Sequence, residues 1–153
     1  MISRRRRTEA LVESDPSVAM GLAQLIEQEV EATDLISPHQ GLVMCEVRET
    51  ARNSRFNLGE ALMSESRVRI RETEGLGVVL GGNGELARAL AVIDAACDQP
   101  EPLDCAPQVE QAILGAEASL ARAREHEERR TMTSRVSFDT MGGQDMSVQG
   151  VVK

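Results

Sequence analysis

The most constraining feature of the sequence is a strict alternation of charged and apolar residues near the middle of the chain. Arg67, Arg69 and Arg71 alternate there with Val68 and Ile70. Successive side chains of a β-strand point to opposite faces, so the segment predicts a strand with one charged and one apolar face. An antiparallel sheet packed on one face only satisfies this pattern.

Neighbouring segments predict further strands of the same sheet. The strand that carries the alternation begins near residue 56, and residues 41–50 predict another strand, with Val43, Cys45 and Val47 on one face. A further strand within residues 28–37 is only weakly indicated.

The glycines of residues 74–77 predict a turn, which leads into a short strand over residues 78–80. The glycines and Asn83 of residues 81–84 then end this strand and precede a helix.

Apolar residues in four other segments recur at helical spacing. Residues 4–13 predict a short helix, and Asp15 and Pro16 predict the N-cap and first residue of a second one. The third helix is expected to end near residue 97, and the fourth to span residues 107–130 after a proline-containing loop. The expected inner positions of the last two helices are Leu86, Leu90, Ile93 and Cys97, and Val109, Ile113, Ala116 and Leu120.

These segments together predict an α+β fold, with a small antiparallel β-sheet packed with N-terminal and C-terminal helices. We expect a single domain over residues 1–153, with residues 1–14 as a mobile N-terminal arm and residues 142–153 as a flexible tail. The core must be aliphatic, because the chain has two Phe and no Trp or Tyr. Such a core lacks the large burial that each aromatic side chain brings, so we expect some reliance on a partner.

The charge distribution argues against nucleic-acid binding. The formal net charge is −8, and residues 4–7, all arginine, form the sole basic block. With no second basic patch and no stacking aromatics, the simpler interpretation of this block is a solvated start to the first helix.

The cysteines and histidines give no metal-site signal. Three Cys lack CxxC spacing, and the two His lie far apart. We therefore expect no metal, and free thiols in a reducing compartment. No apolar run approaches the length of a membrane span, so the expected location is the cytoplasm.

Several residues are candidates for chemistry. The glycine-rich stretch GLGVVLGGNG matches neither phosphate-binding fingerprint, so a strand-to-helix turn is the simpler interpretation. Arg67, Arg69 and Glu60 are candidate anion or interface contacts. Charged residues are, however, common on the solvent-exposed face of a sheet. Glu46, Glu60 and Glu65 could be general acids or bases, but no base–nucleophile pair accompanies them.

Five motifs resemble, in order and spacing, those of the PhnG family, which are subunits of the bacterial carbon–phosphorus lyase complex. The motifs are GLV at 41–43, FNLGE at 56–60, RVRI at 67–70, AVIDAA at 91–96 and SRVSFDTM at 134–141. Both Phe of the chain lie within them.

The resemblance implies a subunit that works only in a complex with PhnH, PhnI and PhnJ. PhnG, PhnH, PhnI and PhnL together are associated with displacing adenine from ATP by a phosphonate. The iron–sulfur cluster and S-adenosylmethionine belong to PhnJ, which cleaves the carbon–phosphorus bond. This chain would bind no cofactor alone, although the complex uses ATP.

The terminal motif follows a charged helical run and is β-prone, as a docking element would be. The residues expected to contact partners are Arg135, Phe138, Thr140, Met141 and Phe56. Two alternatives stay open: a diverged scaffold or interaction protein of the same complex that contributes no catalysis, and an independent small organophosphate-binding enzyme.

The sequence also departs from the family pattern. The turn before the FNLGE motif is residues 50–53, TARN, instead of GGTG, and Ser64 and Glu65 replace the usual Thr-Arg. Leu86 stands where relatives have His, and residues 142–144 lack the closing Arg. Each change removes a group that could contact an anion or a partner.

Overall fold

The computed structural model describes residues 2–133 and has the predicted α+β architecture. In chain order, one small antiparallel sheet follows the two N-terminal helices and precedes the two C-terminal helices. The elements are α1 (Arg4–Val12), α2 (Pro16–Glu27), β1 (Ala32–Arg48), β2 (Arg55–Ile70), β3 (Thr73–Leu80), α3 (Gly84–Cys97) and α4 (Ala106–Thr133).

The sheet has three strands in the order β1-β2-β3, and both neighbouring pairs are antiparallel. The predictions for residues 28–37 and 41–50 were wrong in treating them as separate strands, because β1 runs through both. The register with β2 shifts between Ile36 and His39, around Pro38, and then continues. This irregularity hides the continuity of the strand in the sequence pattern.

The turn predicted at residues 74–77 was also wrong. These residues belong to β3, and the chain reverses at Arg71, whose φ is 53°. Gly75 and Gly77 allow α3 to lie directly against the strand: a Cβ on Gly77 would be 1.8 Å from the Ala87 carbonyl oxygen. The glycines thus serve close packing of helix on strand.

One part of the core lies between α3 and one face of the sheet, and α1, α2 and α4 contribute the rest. Val68 and Ile70 are fully buried on that face, as the alternation predicts. Ser64 and Ser66 continue this face and are buried, and their hydroxyls donate to the carbonyls of Gly81 and Ile36 at 2.8 and 3.1 Å. These bonds satisfy the polar atoms inside an apolar layer.

The helices confirm most of the expected inner positions. Leu86, Leu90, Ile93, Val109, Ile113 and Ala116 are buried, whereas Cys97 and Leu120 are half-buried. The Asp15 side chain accepts from the Ser17 N–H at 2.8 Å, and α2 begins at Pro16 as predicted.

The arginine block is only partly solvated, which corrects the simpler interpretation of it. Arg7 is 3% exposed, and its guanidinium donates to Asp94 at 2.6 Å and to Asp98 at 2.8 Å. A buried guanidinium needs such partners, and α3 supplies both. Mobility of residues 1–14 stays a prediction, and burial of Ala10 and Leu11 in α1 argues against it.

Candidate interaction surface

β1 and β2 extend well beyond the end of β3. Pairing of β2 with β3 ends at Met63 and Leu80, whereas pairing of β1 with β2 continues outward to Arg48 and Arg55. We call residues 42–62 the hairpin arm. At about 3.3 Å per residue, seven paired residues give it a length of about 23 Å.

The hairpin arm is rich in exposed apolar side chains. Leu58 is 68% exposed, Leu42 64% and Phe56 48%. The complete set is Leu42, Val43, Met44, Val47, Phe56, Leu58 and Leu62. Among the described residues, every core side chain lies outside the arm, so the arm contributes no side chain to the described core.

The apolar side chains occupy both faces of the hairpin arm. Residues opposite each other in an antiparallel pair share a face. Val47 pairs with Phe56 on one face, and Leu42 pairs with Leu62 on the other. Val43, Cys45 and Val47 share a face, as predicted, because β1 alternates regularly there.

β2 carries one extra residue within the arm. Cys45 pairs with Gly59 and Glu46 with Asn57, so Leu58 has no partner on β1. Gly59 has a φ of 154° at this bulge. A bulge re-aims the side chains around it, and here the extra residue is the most exposed Leu of the arm.

The Val47 face continues onto the rest of the sheet as one surface that no described part of the chain covers. We call the sheet face opposite α3 the open face. Leu76, Val78 and Leu80 of β3 are 39–71% exposed on it, and Met63 lies directly opposite Leu80. A continuous exposed apolar surface is typical of an interaction site.

The predicted anion or interface contacts lie on two different faces of the sheet. Arg67 and Arg69 lie on the open face, but Arg69 donates to Glu74 at 2.6 Å. Glu60 is seven residues from Arg67 along β2 and, being an odd number away, points to the opposite face. Glu60 is therefore separated from the two arginines, and an anion or interface contact by Arg67 and Arg69 stays a prediction.

The second part of the glycine-rich stretch, residues 81–84, is the strand-to-helix turn that we predicted, whereas residues 75–80 belong to β3. The turn joins β3 to α3, and the Asn83 side-chain oxygen accepts from the Leu86 N–H at 3.1 Å. Glu85 lies in the first turn of α3. Its negative charge at the helix N-terminus disfavours an anion there.

Two thiols of the described chain are poor nucleophiles. Burial, together with the nearby carboxylate of Glu29, raises the pKa of Cys105 to about 11. Burial also raises the pKa of Cys97. A thiol with a raised pKa stays protonated near neutral pH and so reacts slowly.

The carboxylates considered as general acids or bases are occupied or isolated. Glu46 pairs with Arg55 at 3.1 Å, and both are exposed on the hairpin arm.

Between residues 2 and 133, no three His, Cys, Asp or Glu side chains are grouped as metal ligands would be. In the same range, no helix is long and apolar enough to cross a bilayer.

Of the predicted partner contacts, the structure places one. Phe56 lies exposed on the hairpin arm. Arg135, Phe138, Thr140 and Met141 lie outside the described residues.

The other apolar residues of the arm were not among our candidates. A signal for them existed in GLVM and in FNLGEALM, where apolar residues depart from strict alternation. A strand that is apolar on both faces needs cover on both faces.

A family model described as "Phosphonate metabolism protein PhnG" matches residues 2–143 of the chain. A search of curated proteins gave no match.

Proposed function

Because the chain belongs to the PhnG family of phosphonate metabolism proteins, we propose that it is a non-autonomous subunit of the carbon–phosphorus lyase core complex. In this proposal it acts in organic phosphonate catabolism in the cytoplasm. Its partners in the hetero-oligomer are PhnI, PhnH and PhnJ-like subunits.

The proposed reaction transfers a phosphonate to C1 of the ATP ribose. The phosphonate oxygen forms the new bond to C1, adenine leaves, and the product is a ribose 1-phosphonate 5-triphosphate. This chain supports the step together with PhnH, PhnI and PhnL. In this proposal it contributes surface rather than a reacting group.

One observation supports this function above the others: the hairpin arm and the open face expose apolar side chains that no described part of the chain covers. A subunit that functions only in an assembly keeps such surface for its neighbours.

Co-expression tests the proposal directly. The chain, produced together with PhnH, PhnI and PhnJ, should co-purify as a stable complex. If the chain elutes alone at every stage while the other three assemble, the proposal is wrong.

The terminal motif gives a residue-level test of the same complex. We propose that Arg135, Phe138, Thr140 and Met141, together with Phe56, contact the partner subunits. Phe138→Ala should prevent assembly, because emptying a fully buried aromatic pocket costs about 3–5 kcal/mol. An unchanged elution profile of the variant complex would contradict this placement.

A diverged scaffold without catalytic contribution is the second candidate. Leu86, at the position where relatives have His, is buried in the core at 4% exposure, so it presents nothing to a ligand. A growth test separates the two candidates. This chain is expressed in a bacterial strain that lacks its own PhnG, and the strain is grown on a phosphonate. An active subunit restores growth and a scaffold does not.

An independent organophosphate-binding enzyme stays the least supported alternative. The purified chain alone, mixed with ATP and methylphosphonate, should then release adenine. We expect no release.

A further inference from the structure

The hairpin arm differs from the rest of the molecule in its net charge and in the exposure of its apolar side chains. Residues 42–62 contain three Glu and three Arg, which cancel, whereas the whole chain has a formal net charge of −8. All of the excess negative charge therefore lies outside the arm. An uncharged apolar surface can approach the arm without meeting a net field.

A two-stranded hairpin is marginally stable in water by itself. Here the arm extends about 23 Å past β3 with apolar side chains on both faces. A partner that covered only the open face would leave Leu42 and Leu62 in water. A partner that covered only the other face would leave Val43 and Phe56 in water. An occupant that removes all four from solvent must reach around both faces.

The edge of the arm also offers backbone hydrogen bonds. β3 stops at Leu80, and the Gly81 N–H donates to the Leu62 carbonyl at 2.7 Å. Beyond this bond, the structure places no described strand beside residues 56–61 of β2. An added strand can pair there in the position that β3 leaves empty.

From these observations we propose that the hairpin arm inserts into an uncharged, apolar cleft of a different polypeptide, which encloses both faces and adds a strand beside residues 56–61. The inference rests on the proposed function, because that polypeptide is a subunit of the same complex. It adds the segment of this chain that is enclosed and the chemistry of the surface that encloses it.

A second copy of this chain fits the arm less well. A two-fold contact between flat sheets buries one face of each, so it would leave the other face of both arms exposed. It would also bring together two bodies that share the same negative charge. A cleft in a different chain meets neither obstacle.

Matched variants on the two faces test the inference in the co-purified complex. Val43→Ser and Phe56→Ser change the open face, and Leu42→Ser and Leu62→Ser change the other. Leu114→Ser, an exposed leucine on α4, is the control. The dissociation constant of each variant complex is measured by surface plasmon resonance, and the unfolding midpoint checks that the body stays folded.

We expect each of the four arm variants to weaken binding at least about 30-fold, as truncation of a central interface residue does, and the control to change it less than about threefold. Amide exchange of residues 56–61 should slow in the complex. The unfolding midpoints of the variants should equal that of the wild type, because every described core residue lies outside the arm.

The contrary outcomes are distinguishable. If only the open-face variants weaken binding and light scattering shows a dimer of the isolated chain, the arm is a self-association surface and the inference is wrong. If all four variants bind as the wild type does, the arm is not enclosed, although the proposed function stands. If the wild-type chain forms no complex, the proposed function fails and the inference fails with it.

Discussion

Asp94 connects three elements through a single carboxylate. It lies on α3 at 6% exposure and accepts from Arg4 and Arg7 of α1 at 2.6–2.8 Å. It also accepts from the Leu76 N–H of β3 at 3.1 Å. Burial lowers the pKa of Arg7, but the charged hydrogen bonds to Asp94 and Asp98 outweigh it and leave that pKa raised. Arg7 is thus an ion held inside the fold by its partners.

Asp94→Ala should destabilise the protein by about 3 kcal/mol, because removal of one partner leaves a buried charge poorly compensated. Asp98 remains beside Arg7 at 2.8 Å and limits the loss. Urea unfolding measures the effect. Glu117→Ala is the control, since it removes a pair with Arg6 that lies in solvent, and the unfolding midpoint should barely move. Equal effects of the two substitutions would contradict the proposed role of Asp94.

Cys105 should make stability depend on pH in the alkaline range. Its pKa is raised by burial to about 11, from 9.0 in the unfolded chain. The unfolded thiol therefore ionises first, so the contribution to stability is present below about pH 9 and is lost as pH rises through about 11.

Cys105→Ala removes this group, so the fall in the urea midpoint between about pH 9 and 11 should be shallower than in the wild type. Cys97, whose pKa is also raised, leaves a residual slope in both proteins. Parallel pH profiles for the variant and the wild type would show that the thiol does not titrate as the structure implies.

The contact between β3 and α3 shows how one element determines the sequence of another. Gly75 and Gly77 lie on the face of β3 that meets α3, next to the backbone of Ala91 and Ala87. A side chain at either position would push the helix away from the sheet. Val79, the next residue on this face, is 6% exposed where the helix leaves room for it.

Gly77→Ala should cost at least about 2 kcal/mol, because the added Cβ would lie 1.8 Å from the Ala87 carbonyl oxygen and the core has no space to absorb it. Gly115→Ala is the matched control. It lies within α4 with nothing within 4 Å of the added Cβ, so the helix should gain up to about 1 kcal/mol. Thermal unfolding of both variants gives the comparison. A tolerated Gly77→Ala would mean that α3 is not packed so closely.

The whole molecule divides into an acidic body and a hairpin arm with no net charge. The body holds the aliphatic core and the ion pairs that join α1 to α3 and α4. The arm holds exposed apolar residues and equal numbers of Glu and Arg. Association through the arm should therefore be driven by burial of apolar surface.

Binding through the arm should depend little on salt. We expect the dissociation constant of the complex to change less than about threefold between about 0.05 and 0.5 M salt, since screening affects charged contacts far more than apolar ones. The heat capacity should fall on binding, as it does when apolar surface is buried. Titration calorimetry at several salt concentrations measures both. A steep loss of affinity with salt would point to an ionic interface instead.

Some features of this protein follow from its sequence alone. The alternation around Val68 and Ile70 predicted the half-buried strand, and Asp15 with Pro16 predicted the start of α2. The family motifs predicted the family to which the chain belongs. These signals are local: side-chain period, cap chemistry and motif order depend on neighbours within a few residues.

Other features were decided only by the tertiary structure. The exclusion of a side chain at Gly77, the burial of Arg7 and the continuity of β1 past Pro38 depend on elements far away in the sequence. The hairpin arm arises because β3 is shorter than β1 and β2. A strand pattern shows which side chains share a face, but only the relative lengths and register of three paired strands determine which of those faces is left uncovered.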